Sequence, residues 1–82
     1  MEPPRKGATS TPNLLRSRFG LTVGETRVAI LVADGLSYAE IATRLRISIH
    51  TVHTHIKEIH QKLDVHSNGK AAAVIRGLET QG

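Results

Sequence analysis

Cysteine is absent from the chain, and this absence removes several chemistries at once. It excludes disulfide bonds, a cysteine-ligated zinc site and catalysis by a thiol, and it is consistent with a reducing compartment. Aromatic residues are nearly absent as well, since Phe19 and Tyr38 are the only two. A core must therefore be built from leucine, isoleucine, valine and alanine, which suits close helix packing. The composition predicts an all-α fold.

The chain also lacks a long apolar segment. No run approaches the ~20 apolar residues that a membrane-spanning helix needs. Arg5 and Lys6 lie near the N-terminus, but no apolar stretch follows them, so the start of the chain does not resemble a secretory signal. We expect a cytoplasmic protein with no membrane contact, and its 82 residues are enough for one domain.

The chain has a formal net charge of +4. Its positive charge is concentrated in the second half of the sequence. Between Thr22 and Glu40 one arginine stands against three carboxylates, whereas between Arg44 and Arg76 six cations stand against two. A one-sided positive field attracts polyanions, nucleic acid first and an anionic membrane second, although such an excess also occurs on ordinary solvated surfaces. Charge alone makes nucleic acid a candidate partner.

The N-terminal residues differ in composition from the rest. Residues 1–13 contain all three prolines, a serine-threonine cluster and no long aliphatic side chain beyond Met1. Such a segment buries too little apolar surface to offset its ordering entropy. We expect residues 1–20 to form a flexible tail or linker, with a short helical turn around Leu15 that Gly20 closes. Residues 21–82 form the predicted domain.

Capping signals predict four helices in this domain. Thr22–Glu25 and Ser37–Glu40 have the spacing of a capping box, in which two free backbone donors are satisfied reciprocally. Ser48 begins the third and longest helix, and Ser67 or Asn68 begins the fourth. The third helix has an apolar stripe at spacings of four, three and four residues, formed by Val52, Ile56, Ile59 and Leu63.

The second and third helices together have the sequence outline of a helix-turn-helix motif. A two-turn helix over Tyr38–Leu45 is followed by a tight connection and the longer helix Ile49–Leu63. In such a motif the second helix of the pair lies in the major groove of DNA. Other small helical bundles share this outline, so the geometry alone leaves a bundle without DNA-binding function open.

Short motifs between positions 21 and 65 favour a DNA-binding helix-turn-helix over another small helical bundle. They are Leu21-Thr22, Glu25, Gly35-Leu36-Ser37, Glu40-Ile41-Ala42, Leu45, Ile47-Ser48, Thr51-Val52, His55, Ile59, Lys62-Leu63 and Val65. Together they resemble the DNA-binding domain of the LuxR/FixJ family of bacterial transcription regulators. The resemblance implies a four-helix domain whose third helix reads DNA and whose fourth helps to pair two copies. It also implies that the domain usually follows a receiver or ligand-sensing domain.

Four positions depart from the usual pattern of that family. Gly24 stands where a basic or polar residue is common, His53 replaces a common lysine or arginine, Asp64 replaces a frequent glycine and Asn68 a frequent arginine. Three of these changes remove a positive charge or add a negative one. They lower the expected affinity for phosphates and leave the core pattern intact.

The side chains opposite the apolar stripe of the third helix are candidates for base contacts. At about 100° per residue, His50, Thr54 and Lys57 lie opposite the stripe and His53 lies at its margin. We call these four residues the recognition face, and the family resemblance points to the last three positions, 53, 54 and 57. Lys57 can reach guanine acceptors, and Thr54 offers a methyl to thymine. The alternative is an ordinary solvated helix face.

Contacts to DNA phosphates are expected from a second group of residues. Ser48 and Thr51 lie at the start of the third helix, where free backbone donors and short hydroxyls bind phosphate oxygens. Arg44, Lys62 and Lys70 are secondary candidates for phosphate contacts. Plain capping is the alternative role for the two hydroxyl residues, and surface solubility is the alternative for the three cations.

The fourth helix is the candidate dimer surface. Its apolar cluster suits a helix–helix contact and consists of Ala72, Val74, Ile75 and Leu78. One small domain buries too little surface for tight specific binding, so we expect a homodimer on two half-sites about 10 bp apart, or a multiple of that spacing. Double-stranded DNA and a second copy are the expected partners, and RNA polymerase is a further candidate.

Other functions are less well supported by the residues. Five histidines invite a metal hypothesis, and they are His50, His53, His55, His60 and His66. On the helical wheel they do not converge with a carboxylate on one site, so we expect no metal and no cofactor. No glycine-rich phosphate loop and no nucleophile with a base is apparent, which argues against an enzyme. A sigma-factor-like promoter reader and a helical protein-interaction module remain as alternatives.

Two histidines on the recognition face also predict sensitivity to pH. Model imidazole titrates near pH ~6.5, and a nearby phosphate favours its charged form. Acidification would therefore add up to two cations at His50 and His53 and tighten DNA binding. In the alternative, both rings stay neutral and act only as hydrogen-bonding groups.

Overall fold

The computed structural model describes residues 10–79, and these residues form five α-helices and no strand. The helices are α1 (Thr11–Phe19), α2 (Val23–Ala33), α3 (Tyr38–Leu45), α4 (Ile49–Leu63) and α5 (Asn68–Glu79). The all-α class is confirmed. The expected count of four helices is wrong, because α1 precedes the four that the sequence predicts.

Helix α1 lies inside the segment that we expected to be a flexible tail. Ser10 caps it by accepting a hydrogen bond from the Asn13 amide at 3.4 Å, and Gly20 closes it with a φ of 73°. Leu15 is 0% exposed and belongs to the core. Burial of this leucine, with Leu14 and Phe19 packed beside it, compensates for the ordering entropy of the helix. Residues 1–9 lie outside the described part of the chain.

The starts of the remaining helices follow their capping signals. Both capping boxes form, since Thr22 exchanges hydrogen bonds with Glu25, and Ser37 does the same with Glu40. Ser48 caps α4 by accepting from the Thr51 amide at 3.0 Å. At α5 the Ser67 hydroxyl accepts from the Lys70 amide at 3.1 Å, so Ser67 caps this helix and Asn68 is its first residue.

The core is built from aliphatic side chains of all five helices. Its buried members are Leu15, Leu21, Val28, Ala29, Ala33, Ile41, Val52, Ile56, Ile59, Leu63, Ala71, Ile75 and Leu78. Ile41 of α3 and Val52 of α4 are fully buried, and Leu45 and Ile47 pack against the same core. These contacts hold the helix-turn-helix pair at a fixed angle and leave the opposite face of α4 exposed.

Helix α5 packs across α2 and α1 rather than standing apart from them. Its residues Ala71, Ile75 and Leu78 are buried in the core of the same chain. The Arg76 guanidinium donates a hydrogen bond to the Ala33 carbonyl at the end of α2, where a cation is favoured by the helix dipole. Within residues 10–79, no helix is both long enough and apolar enough to cross a membrane.

Candidate nucleic-acid interface

The recognition face is exposed along one side of α4. His50, His53, Thr54 and Lys57 are all exposed, whereas the apolar stripe on the other side of the helix is buried. Among residues 10–79 the Lys57 ammonium has no ion-pair partner, so it is available to an external anion or base acceptor. The structure therefore brings together the four residues chosen from the helical wheel.

Thr54 uses part of its hydrogen-bonding capacity inside the helix. Its hydroxyl donates to the His50 carbonyl at 3.2 Å, a bond from one turn of α4 to the preceding turn. The hydroxyl proton is therefore committed to the backbone, while the methyl group and an acceptor lone pair stay accessible. This arrangement suits contact with a thymine methyl better than donation to a base.

The start of α4 presents two hydroxyls that bind each other. The Ser48 and Thr51 oxygens lie 2.9 Å apart, and Ser48 also caps the Thr51 amide. Capping is thus an observed role for Ser48. Ser48 is exposed and Thr51 is half-buried at this helix N-terminus.

Lys62 is occupied within the protein. Its ammonium donates to the Glu25 carboxylate at 2.7 Å and to the Gly20 carbonyl at 3.2 Å. Glu25 is buried, and its side chain also accepts from the Thr22 amide at 3.0 Å. The lysine joins the end of α4 to the start of α2, so we assign it a structural role and leave it out of the proposed phosphate contacts.

The electrostatics of Glu25 follow from this arrangement. Burial of the carboxyl raises its pKa, but the Lys62 hydrogen bond and charge and the Thr22 bonds outweigh that effect. The pKa of Glu25 is accordingly held below its ordinary value of 4.5, and the group is ionised at neutral pH. The negative charge of the buried Glu25 carboxylate is thus stabilised by Lys62 of α4 and by Thr22, the cap of α2.

The other two secondary cations, Arg44 and Lys70, are both exposed. Arg44 lines a shallow groove on α3 with Gly35 and Glu40. Lys70 is exposed on the first turn of α5. Both cations remain candidates for phosphate contacts.

A polar chain across three helices was missed in the sequence. The His53 and Tyr38 rings meet edge-on with centroids 4.9 Å apart. The Tyr38 hydroxyl accepts from the Asn68 amide nitrogen at 2.7 Å, and the Asn68 carbonyl oxygen lies 2.8 Å from His60 Nε2. The one available signal was that Asn68 and His53 both depart from the usual family residues. It did not show that the two positions are connected.

His55 and Gly24 form a close contact on the inner side of α4. His55 is half-buried, and a Cβ added at Gly24 would lie 3.3 Å from its Nε2 atom. The glycine, one of the departures from the family pattern, leaves room for the imidazole against the first turn of α2. His55 thus packs between helices, in keeping with a structural role.

The structure shows no clustering of the histidines into a metal site. Within residues 10–79, no three side chains of histidine, aspartate or glutamate come together in an arrangement that could hold a metal ion. His60 binds Asn68, His53 contacts Tyr38, and His55 packs beside Gly24. Their different neighbours explain why five histidines in a short stretch do not converge.

The expected dimer cluster on α5 requires a correction. Ile75 is 0% exposed and Leu78 is 5% exposed, because this side of α5 packs on the core of its own chain. They cannot form a surface for a second copy. Ala72 and Val74 are half-buried, and Ala73 between them in the sequence is exposed.

Comparison with known proteins agrees with this geometry. The family model described as bacterial regulatory proteins, luxR family, matches residues 20–75, more than half of the chain. The chain belongs to the luxR family. This luxR-type helix-turn-helix domain is a DNA-binding regulatory domain and not a member of an enzyme family. The resemblance drawn from the short motifs is confirmed.

One curated relative is the protein named "Uncharacterized response regulatory protein YgeK" of Escherichia coli strain K12. It is 49% identical over 47 residues, which cover 57% of this chain and 32% of the relative. This luxR-family chain thus matches about a third of the length of that relative. No solved structure matches the chain significantly.

Proposed function

We propose that this luxR-family chain binds a specific double-stranded DNA sequence with α4 in the major groove, and thereby regulates transcription. The observation that carries the proposal is the recognition face, four exposed polar side chains on the second helix of a helix-turn-helix pair. The buried stripe behind that face holds α4 rigidly on the core. A rigid helix with exposed donors suits readout of base edges.

The contacts divide into base and backbone roles. Lys57 and His53 donate to base acceptors, Thr54 contacts a thymine methyl, and His50 lies nearest the start of the helix. Ser48 and Thr51 approach a phosphate at the N-terminus of α4, where the helix dipole favours negative charge. Base contacts set the sequence preference, while the phosphate contacts set the position of the protein on the duplex.

Two copies bind together in this proposal. One such domain covers too little DNA for tight specific binding, and Ala73, a small residue exposed on α5, leaves room for a second helix. Half-sites then lie about 10 bp apart or at a multiple of that distance. An Ala73→Glu variant should keep binding to one half-site and lose cooperative binding to two, as measured by footprinting.

The chain acts as the output part of a larger regulator in this proposal. The named relative is a response regulatory protein of which the match covers 32%, so about two thirds of its length lies outside the match. We expect such an output domain to be joined to a signal-receiving segment and to contact RNA polymerase. Both belong to the proposal.

Selection of bound sequences from a random duplex pool tests the proposal. Lys57→Ala should weaken binding to the selected site by about 1 to 3 kcal/mol and relax preference at one base position. Arg27→Ala is the matched control, since it removes one exposed cation from α2, a helix outside the helix-turn-helix pair. Equal effects of the two substitutions, or binding that does not weaken with salt, would contradict the proposed role of α4.

A further inference from the structure

The polar chain identified above connects the recognition face to the first residue of α5. It runs from His53 to Tyr38 by a ring contact, and from Tyr38 through Asn68 to His60 by hydrogen bonds. Tyr38, Asn68 and His60 are half-buried, whereas His53 is exposed. The exposed His53 is thus connected to three half-buried residues, which belong to three different helices.

The hydrogen-bond directions in this chain are determined by its chemistry. The Asn68 carbonyl oxygen can only accept, so His60 Nε2 must carry the proton that it donates. The Asn68 amide nitrogen donates to the Tyr38 oxygen, which restricts where the phenol ring can move. Since Tyr38 is the first residue of α3 and Asn68 the first of α5, the ring is anchored between two helix starts.

We propose that Tyr38 is a positioning residue that sets the orientation of the His53 imidazole for base reading, with Asn68 and His60 holding Tyr38 in place. This inference rests on the proposed function of α4. An exposed histidine on a helix would otherwise lose several rotamers on binding DNA. The edge-on contact with a tethered ring restricts those rotamers before DNA arrives, which favours a single binding geometry.

The structure also distinguishes Tyr38 from a side chain that only fills the core. Its half-buried ring packs against the core and also contacts His53, an exposed residue of α4. A purely structural role would affect stability and binding to every sequence alike. A positioning role acts through His53 and therefore affects the preference at the base that His53 contacts.

Base preference measured by competition among single-base variants of the selected site tests this inference. His53→Ala identifies the base position that His53 reads. Tyr38→Leu should reduce the preference at that same position by about 2- to 10-fold, the contribution of an aromatic pair. Tyr38→Phe, which keeps the ring and removes the hydroxyl, and Asn68→Ala, which removes the tether, should each give a smaller loss at that position.

The decisive control is the double variant that combines His53→Ala with Tyr38→Leu. In a His53→Ala background, Tyr38→Leu should have no further effect on base preference, because the residue it positions is gone. A melting curve for each variant keeps a loss of folding separate from a loss of preference.

Three results would overturn the inference. They are an equal loss of affinity for all sequences in Tyr38→Leu, an undiminished Tyr38 effect without His53, and a His53→Ala variant with unchanged base preference. In each case salt-sensitive, Lys57-dependent binding by the wild type would leave the proposed function standing. Failure of the wild type to select any sequence would instead remove the proposed function.

Discussion

Lys62 on α4 donates a hydrogen bond to Glu25 on α2 at 2.7 Å, across 37 positions of sequence. The same ammonium also binds the Gly20 carbonyl, so one side chain joins the end of α4, the start of α2 and the turn after α1. The glutamate is 6% exposed and already serves the capping box of α2. Local capping and long-range packing therefore depend on the same carboxylate.

Replacing Lys62 should reveal how much stability this contact supplies. Lys62→Met keeps most of the aliphatic length but leaves the Glu25 carboxylate buried without its cation, and we expect a loss of about 1 to 3 kcal/mol. Urea unfolding measures it. Lys57→Met is the matched control, because Lys57 is exposed on the same helix and should change stability by less than about 0.5 kcal/mol. Similar losses in both variants would show that the contact is not specific.

Glu25 should also make the stability of the domain depend on acid pH. Despite burial, which raises its pKa, the bonds from Lys62 and Thr22 hold that pKa below 4.5 in the folded chain. The unfolded chain therefore binds more protons, so the Glu25 contribution is complete above about pH 4.5 and is lost as pH falls through the lower folded-state pKa. Chemical unfolding at several pH values should show a shallower acid slope for Glu25→Gln. An unchanged slope would assign acid sensitivity to other groups.

Asp64 offers a route to a more stable domain. It ends α4 with a φ of 58°, a left-handed conformation in which a side chain is strained, and it places a negative charge at the helix C-terminus. Asp64→Gly should raise the free energy of unfolding by about 0.5 to 1 kcal/mol. Asp64→Asn separates the causes, since it removes the charge and keeps the side chain. If neither variant raises the melting temperature, the strain at this position is already relieved.

Much of the fold could be predicted because its signals are local. The capping boxes at Thr22 and Ser37 and the caps at Ser48 and Ser67 form between residues three positions apart, so the sequence alone carries them. The apolar stripe of α4 has a regular helical period, and its exposed side follows from the same period. Helix α1 was underestimated because its composition is polar, and only the packing of Leu15 shows what orders it.

The sequence by itself determined the starts of α2 to α5, the polar side of α4 and the family, since each depends on residue types at short, regular spacings. The tertiary structure decided which side chains are exposed and which are occupied by contacts within the protein. It committed Lys62 to Glu25, placed Ile75 and Leu78 in the core, and joined Tyr38 to Asn68 across 30 positions. Helical period places a residue on a face, but whether that face meets another helix or solvent depends on how distant segments pack.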